Sequence, residues 1–467
     1  MLKLALCAEG TLVEQVVGAI TKLIETRQLP PGQKLPSVRV LAENHGISKS
    51  TVVDAYDRLV AEGRLTSRPK SGFFVNGRRP HLNLAAAGVP VAQELDPLWA
   101  LRYALHQDTT VVRPGCGWLP DDWLNGPGLR RSLHALARAP NAQLTHYGTP
   151  LGYAPLRAQL QAVFAARGID AAANRIIITD GAMQAFDLVG RLLIEPGDTV
   201  FVDVPCYFYF LAILRAHRAT IVGVPFLANG PDLEAFAALA EQHRPVLYIT
   251  NSALHNPTGA TVGAAVAHRL LKLAEAFDIT IVEDDIYADF EEQPGPRLAA
   301  MDQLQRVIYT GSFSKTLSAS SRCGWIAARQ DLVEGLTNLK MATTISNNEL
   351  SAQFLHRLLT DGSYRKHVDA LRTRLRPATI DVRRRLEALG MSLWGEPQGG
   401  LFLWAQLPDG IDSTAVAARA VAQGIAMAPG NVFSVSHAAT PFMRFNVAQS
   451  LNERIYAFLK DELSRPA

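Results

Sequence analysis

The sequence predicts an α/β protein in two parts, a small and mostly helical N-terminal module ending in a β-hairpin and a much larger body. Three observations predict it. From about residue 109 onward, apolar runs at Arg175–Thr179, Thr199–Asp203, Val246–Thr250, Thr280–Glu283 and Val307–Thr310 alternate with amphipathic helical stretches, the pattern of a largely parallel sheet covered by helices. Residues 10–78 instead show short helical periodicities followed by two strand-like runs around a Pro-containing turn. Residues 79–108, with Arg79-Pro80, Ala85-Ala86-Ala87-Gly88 and Pro90, read as a linker, and the body, residues 109–467, ends in a smaller α+β lobe carrying the strand-like Gly400–Ala405 and Phe442–Val447.

Composition bounds the function classes. With 48% apolar and 19% charged residues, the 467-residue chain has core enough to fold and is not a disordered one. No window approaches the roughly 20 apolar residues of a membrane helix, so no membrane partner is expected. Cys7, Cys116, Cys206 and Cys323 are scattered, with no CxxC pair and no histidine cluster; this argues against a disulfide framework and a metal site, and for a reducing cytoplasm. Charge is unevenly placed. Residues 1–79 carry 12 Lys/Arg against 7 Asp/Glu, whereas the remainder carries 34 against 36, so the basic end is the candidate nucleic-acid surface.

In the first module, Leu12, Val16, Ala19, Ile20 and Leu23 share one helical face, and Leu29-Pro30-Pro31-Gly32 then breaks the chain. Ser37 is placed to cap a second helix with Val38, Leu41 and Ala42 inward, Gly46 permits the turn that ends it, and Ser48 caps a third with Val52, Tyr56, Leu59 and Val60 inward. Two short helices around a glycine turn make a helix-turn-helix, and Arg64–Ser67, Arg68-Pro69-Lys70-Ser71-Gly72 and Phe73–Val75 add a two-stranded wing with a basic tip. Ser48, Lys49, Ser50 and Thr51 open the third helix, where a recognition helix meets base edges and phosphates, and Lys70 lies at the wing tip. The run Leu29-Pro30-Pro31-Gly32-Gln33-Lys34-Leu35-Pro36-Ser37-Val38-Arg39 and the closing Ser71-Gly72-Phe73-Phe74-Val75 resemble the winged helix-turn-helix DNA-binding domain of the GntR family. That resemblance implies double-stranded DNA as a partner, with Arg39 among the contacts.

Four segments of the body carry chemistry. Ser312-Phe313-Ser314-Lys315, with Arg322 seven residues on, offers an amine that can form a Schiff base when buried beside a cation, plus two hydroxyls and a guanidinium for a phosphate. Thr179-Asp180-Gly181-Ala182-Met183-Gln184 runs from a strand end into a helix start, where backbone N–H groups hold phosphate. Asn256-Pro257-Thr258-Gly259 and Glu283-Asp284-Asp285-Ile286-Tyr287 follow two further strands and supply an amide, carboxylates and a phenol. Their order and spacing resemble fold-type I aminotransferases of the aspartate aminotransferase group, over residues 110 to 465.

The resemblance implies pyridoxal 5'-phosphate as cofactor, with Lys315 as its Schiff-base lysine and catalytic residue. It implies Asp284 at the ring nitrogen, chosen over Asp285 because it stands three residues before Tyr287; Asn256 and Tyr287 at the ring oxygen; and Tyr207 stacked on the ring. Gly181, Ala182, Met183, Ser312, Ser314 and Arg322 would hold the phosphate, Tyr147 would reach the phosphate of a partner subunit, and Arg444 would clamp a substrate carboxylate. A GntR-type reader on such a body resembles the MocR subfamily of regulators. That implies a homodimeric, DNA-binding transcription regulator that reads operator half-sites and senses a small amino compound or vitamin B6. A working aminotransferase with a secondary DNA-binding domain is the other reading, since Glu283-Asp284-Asp285-Ile286-Tyr287 and Asn256-Pro257-Thr258-Gly259 depart from the regulators toward enzymes. A body that has lost its cofactor and only dimerises is a third.

Overall fold

The structure, a computed structural model, describes residues 4, 10–25, 28–29, 32–62, 64–68, 71–75, 110–396, 399–436 and 441–464. The chain separates into two compact units, Met1–Ala92 and Gln93–Ala467. Lys70 and the stretch 79–108 lie outside the described residues.

The first unit contains helices α1 (Leu12–Glu25), α2 (Val38–His45) and α3 (Lys49–Ala61) and a hairpin of β1 (Leu65–Arg68) and β2 (Gly72–Val75). Ser37 opens α2 by accepting from the Val40 N–H at 3.3 Å, and Ser48 opens α3 by accepting from the Thr51 N–H at 3.0 Å, each satisfying a donor the helix leaves over. Between them Gly46 ends α2 at φ 62°, a conformation that costs glycine little and a branched residue much. Val16, Ile20, Leu41, Val52, Tyr56 and Leu59 form the buried centre. Tyr56 ties it together: its hydroxyl donates to the Pro36 carbonyl at 2.9 Å and its ring meets Phe73 of the wing edge-on at 4.8 Å.

Two local features differ from the sequence reading. Leu12, expected inward, is 50% exposed, because it is the first residue of α1 and the inward face is carried by Val16 and Ile20. The Pro30-Pro31 break is followed by a third wing segment: Gly32 donates to Val75, Val75 to Gln33 and Leu35 to Phe73, all at 2.9 Å. Residues 32–35 show no apolar alternation, so nothing in their pattern announces this pairing.

The second unit is built on an eight-stranded sheet in the order β3-β10-β9-β8-β7-β4-β5-β6. Its strands are β3 (Ile176–Thr179), β4 (Thr199–Val204), β5 (Thr220–Leu227), β6 (Gly230–Pro231), β7 (Leu247–Thr250), β8 (Thr280–Asp284), β9 (Val307–Ser312) and β10 (Gly324–Ala327). β9, β8, β7, β4 and β5 run parallel, and β10 runs antiparallel between β3 and β9, so the sheet is mixed. β10 was not among the runs singled out from the sequence; its four residues follow a serine-rich turn.

The pleat sorts side chains to two cores. Tyr248, Ile281 and Tyr309 face one helical layer with Phe164 and Phe236, while Leu247, Ile249, Val282 and Ile308 face the other with Phe186 and Phe210. Beyond the 26-residue helix Ser363–Ala388 comes the smaller lobe, an antiparallel sheet of β11 (Ser392–Leu393), β12 (Phe402–Gln406), β13 (Ala428–Pro429) and β14 (Phe442–Asn446) in the order β11-β12-β14-β13. The chain from Thr110 onward lies along this lobe: Val112 bridges Ile425, and the Gly115 N–H donates to the Ala426 carbonyl at 2.9 Å.

Replacing Tyr56 by Ala removes both the Pro36 bond and the Phe73 contact and is expected to destabilise the first unit by about 3–5 kcal/mol. Limited proteolysis checks this: the N-terminal unit is cut early while cleavage of the body is unchanged.

Candidate functional site

Because β3, β4, β7, β8 and β9 point the same way, their C-terminal ends deliver five segments to one edge of the sheet, where ligands of open α/β sheets bind. β3 leads to Gly181, β4 to Tyr207, β7 to Asn256, β8 to Asp284 and Tyr287, and β9 to Ser312, Ser314 and Lys315; the antiparallel β10 starts just after Arg322.

Lys315 is half-buried, and its Nζ donates to the Gly117 carbonyl at 2.7 Å. Burial, reinforced by the Arg444 guanidinium and more weakly by Arg322, brings its pKa down to about 8, so about a tenth of the amine is neutral at pH 7. The body holds a second buried lysine of different character. Lys340 directs its Nζ to the Pro150 and Ile178 carbonyls, both at 2.7 Å, and to Asn347 Oδ1 at 3.0 Å, which engages all three ammonium donors. Lys340 pins the fold; Lys315 has the amine left to do chemistry.

The three consecutive acids 283–285 divide by the pleat. Glu283 accepts from the Ser252 hydroxyl and from the N–H groups of Leu298 and Ala299, capping the helix Leu298–Asp302. Asp285 is held by Arg297 at 2.7 Å, by Arg167 at 3.5 Å and by the Tyr309 hydroxyl. Asp284 points to the other face. It accepts the Ile286 N–H at 3.2 Å, and burial lifts its pKa to about 7 against the pull of the Asn251 amide, the Ile286 N–H and, more weakly, Lys315. Asp284 is thus an acid in a dry setting, suited to face a ring nitrogen that carries a proton.

Asn256 links two neighbours: its amide nitrogen lies 3.4 Å from the Tyr287 hydroxyl and its Oδ1 accepts from Arg444 at 2.7 Å. Burial pushes the Tyr287 and Tyr207 phenols upward, so both stay protonated donors. Arg444 is buried, donates also to the Gly115 carbonyl, and lies against the rings of Phe402 and Phe433 at 4.4 and 4.8 Å.

The phosphate-type cradle is equally local. The helix Ala182–Leu193 starts at Gly181 without a side-chain cap, leaving first-turn N–H groups for an anion. Gly181 sits at φ 86°, and a Cβ there would come within 2.6 Å of the Arg322 guanidinium, so only glycine allows this approach. Arg322 is exposed and donates to the Asp180 carbonyl at 3.2 Å; Ser312 and Ser314 share a 2.7 Å hydroxyl contact beside it.

Tyr147 is not brought to this set: it stands 81% exposed. Conversely, the sequence reading passed over the segment Gly115-Cys116-Gly117-Trp118, which crosses the site and uses its carbonyls to hold Arg444, Asn446 and Lys315. Two glycines flanking a residue at the start of the body were the only signal.

In the first unit, Arg39 is largely exposed on α2 and pairs with Glu43 at 2.9 Å. The Ser48 hydroxyl is occupied by the Thr51 N–H and lies 2.7 and 2.8 Å from the hydroxyls of Ser50 and Thr51, whereas Lys49 projects into solvent.

Comparison with known proteins fits both halves. The profile described as aminotransferase class I and II matches residues 120–460. The chain belongs to that family. Residues 12–75 match the family of bacterial regulatory proteins of the gntR type, so the chain is a GntR-type helix-turn-helix domain fused to an aminotransferase class I/II domain. It is 31% identical to the uncharacterized HTH-type transcriptional regulator YdcR of Escherichia coli K12, across 94% of this chain and 96% of that one. It is also 28% identical to the probable rhizopine catabolism regulatory protein MocR of Rhizobium meliloti, over 80% and 76% of the two chains. Among solved structures, kynurenine aminotransferase of Pyrococcus horikoshii, determined with PMP, aligns at a TM-score of 0.71 and 27% identity over 78% of this chain and 94% of that one. The family is pyridoxal-phosphate-dependent, and the residues gathered here fit that group: a partly neutral lysine, an acid in a dry setting, two hydrogen-bonding neighbours and an anion cradle. Among the described residues no helix is long and apolar enough to cross a membrane.

A Schiff base forms from the neutral amine, so uptake of pyridoxal phosphate through Lys315 by cofactor-free protein is expected to rise in rate with pH through a midpoint near 8, not near 10.5. Stopped-flow absorbance across pH measures it; a midpoint at the ordinary lysine value would show that the amine is not desolvated.

Proposed function

We propose that this protein is a pyridoxal-phosphate-dependent transcription regulator whose aminotransferase-like body binds an amino compound and whose winged helix-turn-helix reads DNA. The observation that carries it is the coexistence, in one chain, of an intact cofactor lysine site with a capped GntR-type reader. The cofactor, when bound, supplies an aldehyde that takes up amines and a ring that withdraws electrons.

The residues divide the work. Lys315 would carry the cofactor, and Gly181, Ala182, Met183, Ser312, Ser314 and Arg322 would hold its phosphate. Asp284 would keep the proton at the ring nitrogen, Asn256 and Tyr287 would donate to the ring oxygen, and Tyr207 would cover the ring. Arg444, beside the same amine, would take the carboxylate of an incoming amino acid. Arg39, Lys49 and Ser50 offer exposed donors to DNA, with the hydroxyls of Ser48 and Thr51 engaged first in capping α3. Ser48, Thr51 and Lys70 complete the set expected to approach DNA.

Dimerisation belongs to this reading. Leu133, Leu144, Tyr147, Met341, Ile345 and Leu350 are each more than a third exposed, and a partner subunit would cover them. Tyr147 would then serve the partner's phosphate, and two readers would address paired half-sites in the cytoplasm. The domain bounds that go with this reading are 10–78 for the reader, 79–108 for the linker and 109–467 for the body.

For Lys315→Ala we expect loss of the visible absorbance of bound cofactor with folding retained; an unchanged band would sink the assignment. For Arg39→Ala we expect weaker operator binding in a mobility-shift assay with the band intact. Sustained release of keto acid from an amino donor in a coupled assay would instead make the body a working aminotransferase.

A further inference from the structure

Asp203 and His255 stand one step back along the chain from two residues of the candidate site. Asn256 follows His255 directly, and Tyr207 comes four residues after Asp203. Both are shut away from water, each 1% exposed, Asp203 near the end of β4 and His255 just past β7. His255 Nε2 lies 3.3 Å from Asp203 Oδ2, and its Nδ1 lies 2.8 Å from the Thr258 hydroxyl, so both ring nitrogens are engaged. Asp203 Oδ1 accepts the Tyr248 hydroxyl, whose phenol stays protonated because burial first, and Asp203 after it, push it upward. Phe226 stacks on the imidazole with ring centres 4.0 Å apart and planes 12° apart.

A buried acid–imidazole contact is an expensive way to join two strands. Its desolvation cost consumes most of the attraction, and an apolar pair of similar size would hold β4 to β7 as well. What it supplies is direction, because hydrogen-bonding atoms fix angles that apolar contacts leave loose. Here that direction reaches the turn that carries Asn256. The His255 N–H donates to the Ala260 carbonyl at 2.8 Å, and the His255 carbonyl accepts the Gly259 N–H at 2.6 Å. One residue therefore closes the turn Asn256–Gly259 through its backbone and, at Thr258, through its ring. Asn256 is sensitive to that setting, since its amide nitrogen faces the Tyr287 hydroxyl at 3.4 Å and its oxygen accepts from Arg444 at 2.7 Å. On the β4 side the Cys206 N–H donates to the Phe433 carbonyl at 2.8 Å, which fixes the approach to Tyr207.

We infer that Asp203 and His255 are a positioning pair that sets the Asn256 amide against the ring oxygen of the bound cofactor. This rests on the proposed placing of the cofactor and adds the device that aligns one of its donors. A donor at the ring oxygen stabilises negative charge there, and that charge is fullest once the imine nitrogen has lost its proton. Losing the donor therefore favours the protonated form, and the pH midpoint of the visible band moves up.

The test follows visible absorbance across pH in full-length protein loaded with pyridoxal phosphate. Wild type is compared with His255→Leu, His255→Gln, Asn256→Ala and the double variant of Asn256→Ala with His255→Leu. For His255→Leu we expect the midpoint to rise by about one pH unit, and for Asn256→Ala by at least as much. His255→Gln, which keeps an amide donor for Asp203, should recover most of the shift. In the Asn256→Ala background, His255→Leu should add nothing, the non-additivity of one residue acting through the other. A His255→Leu midpoint equal to wild type overturns the inference, and so does a shift that persists in full without the Asn256 amide. Should His255→Leu fail to fold, Asp203→Asn, which keeps the shape and drops the charge, carries the same comparison: an upward shift lost in the Asn256→Ala background is expected, and an unmoved midpoint overturns it. The parent reading is judged separately. A normal band indifferent to His255 and Asp203 removes only the positioning pair, whereas absence of any band, or a band that survives Lys315→Ala, removes the cofactor assignment itself.

Discussion

A lysine amine kept dry beside two arginines sets the terms for the rest of the body. Charging Lys315 in that setting is opposed by lost hydration first and by Arg444 and Arg322 after it, so the neutral amine persists at pH values where a surface lysine is fully protonated. Such an arrangement stores an unfavourable interaction, and the surroundings must prevent its relief. Arg444 is fixed by Asn256, by the Gly115 carbonyl and by two aromatic rings, and Arg322 is positioned over Gly181 and bonded to the Asp180 carbonyl. Lys340 shows the opposite solution to the same burial: three acceptors satisfy its ammonium completely. Burial lowers both amines to about 8; they differ in that Lys340 has three acceptors and Lys315 has one, the Gly117 carbonyl.

The acids at the end of β8 follow the same logic of environment over identity. Glu283 spends its oxygens on a helix start and a serine, and Asp285 joins Arg297, Arg167, Glu291 and Tyr309 in a buried ion cluster. A buried cluster of this kind gives little net stability once desolvation is counted, but it determines where its members sit. Here it clamps the strand end on both sides of Asp284, which is left on the opposite face with a carboxyl raised to about 7 and aimed toward the lysine's side of the sheet. The position of Asp284 is therefore bought by its neighbours.

Much of this was legible before any coordinates. Alternation of apolar runs with helical stretches announced the α/β body; Ser37, Gly46 and Ser48 announced helix boundaries because cap chemistry is local; and the spacing of Lys315, Arg322, Asn256 and Asp284 is a pattern within the chain. What escaped has a common physical cause. The segment Gly115–Trp118 acts through carbonyls, which every residue has, on partners 198 and 329 positions away, at Lys315 and Arg444. The third wing segment is likewise a backbone pairing without a side-chain signature. Thr51 escaped for another reason: a short hydroxyl suits both a helix start and a base edge, and only geometry sets it 2.8 Å from the Ser48 hydroxyl.

The Gly115–Trp118 segment also bears on how a body of this kind can regulate. Effector binding shifts a conformational equilibrium only through contacts that differ between the free and bound states. Here Lys315 and Arg444, the two groups proposed to engage an amino acid, each donate to a carbonyl of the same short segment, while Asn446 donates to Cys116 and, at 2.8 Å, to Trp118. A ligand that took the amine would compete with the Gly117 carbonyl for its donor, whereas the Asn446 bonds remain. Under the proposed reading, an energetic difference between the two states would fall on the stretch of chain that leads from Thr110 into the body, and not only on the pocket. Side chains deep in the sheet edge need no path of their own through the core, because the backbone that they hold is the backbone that enters the domain.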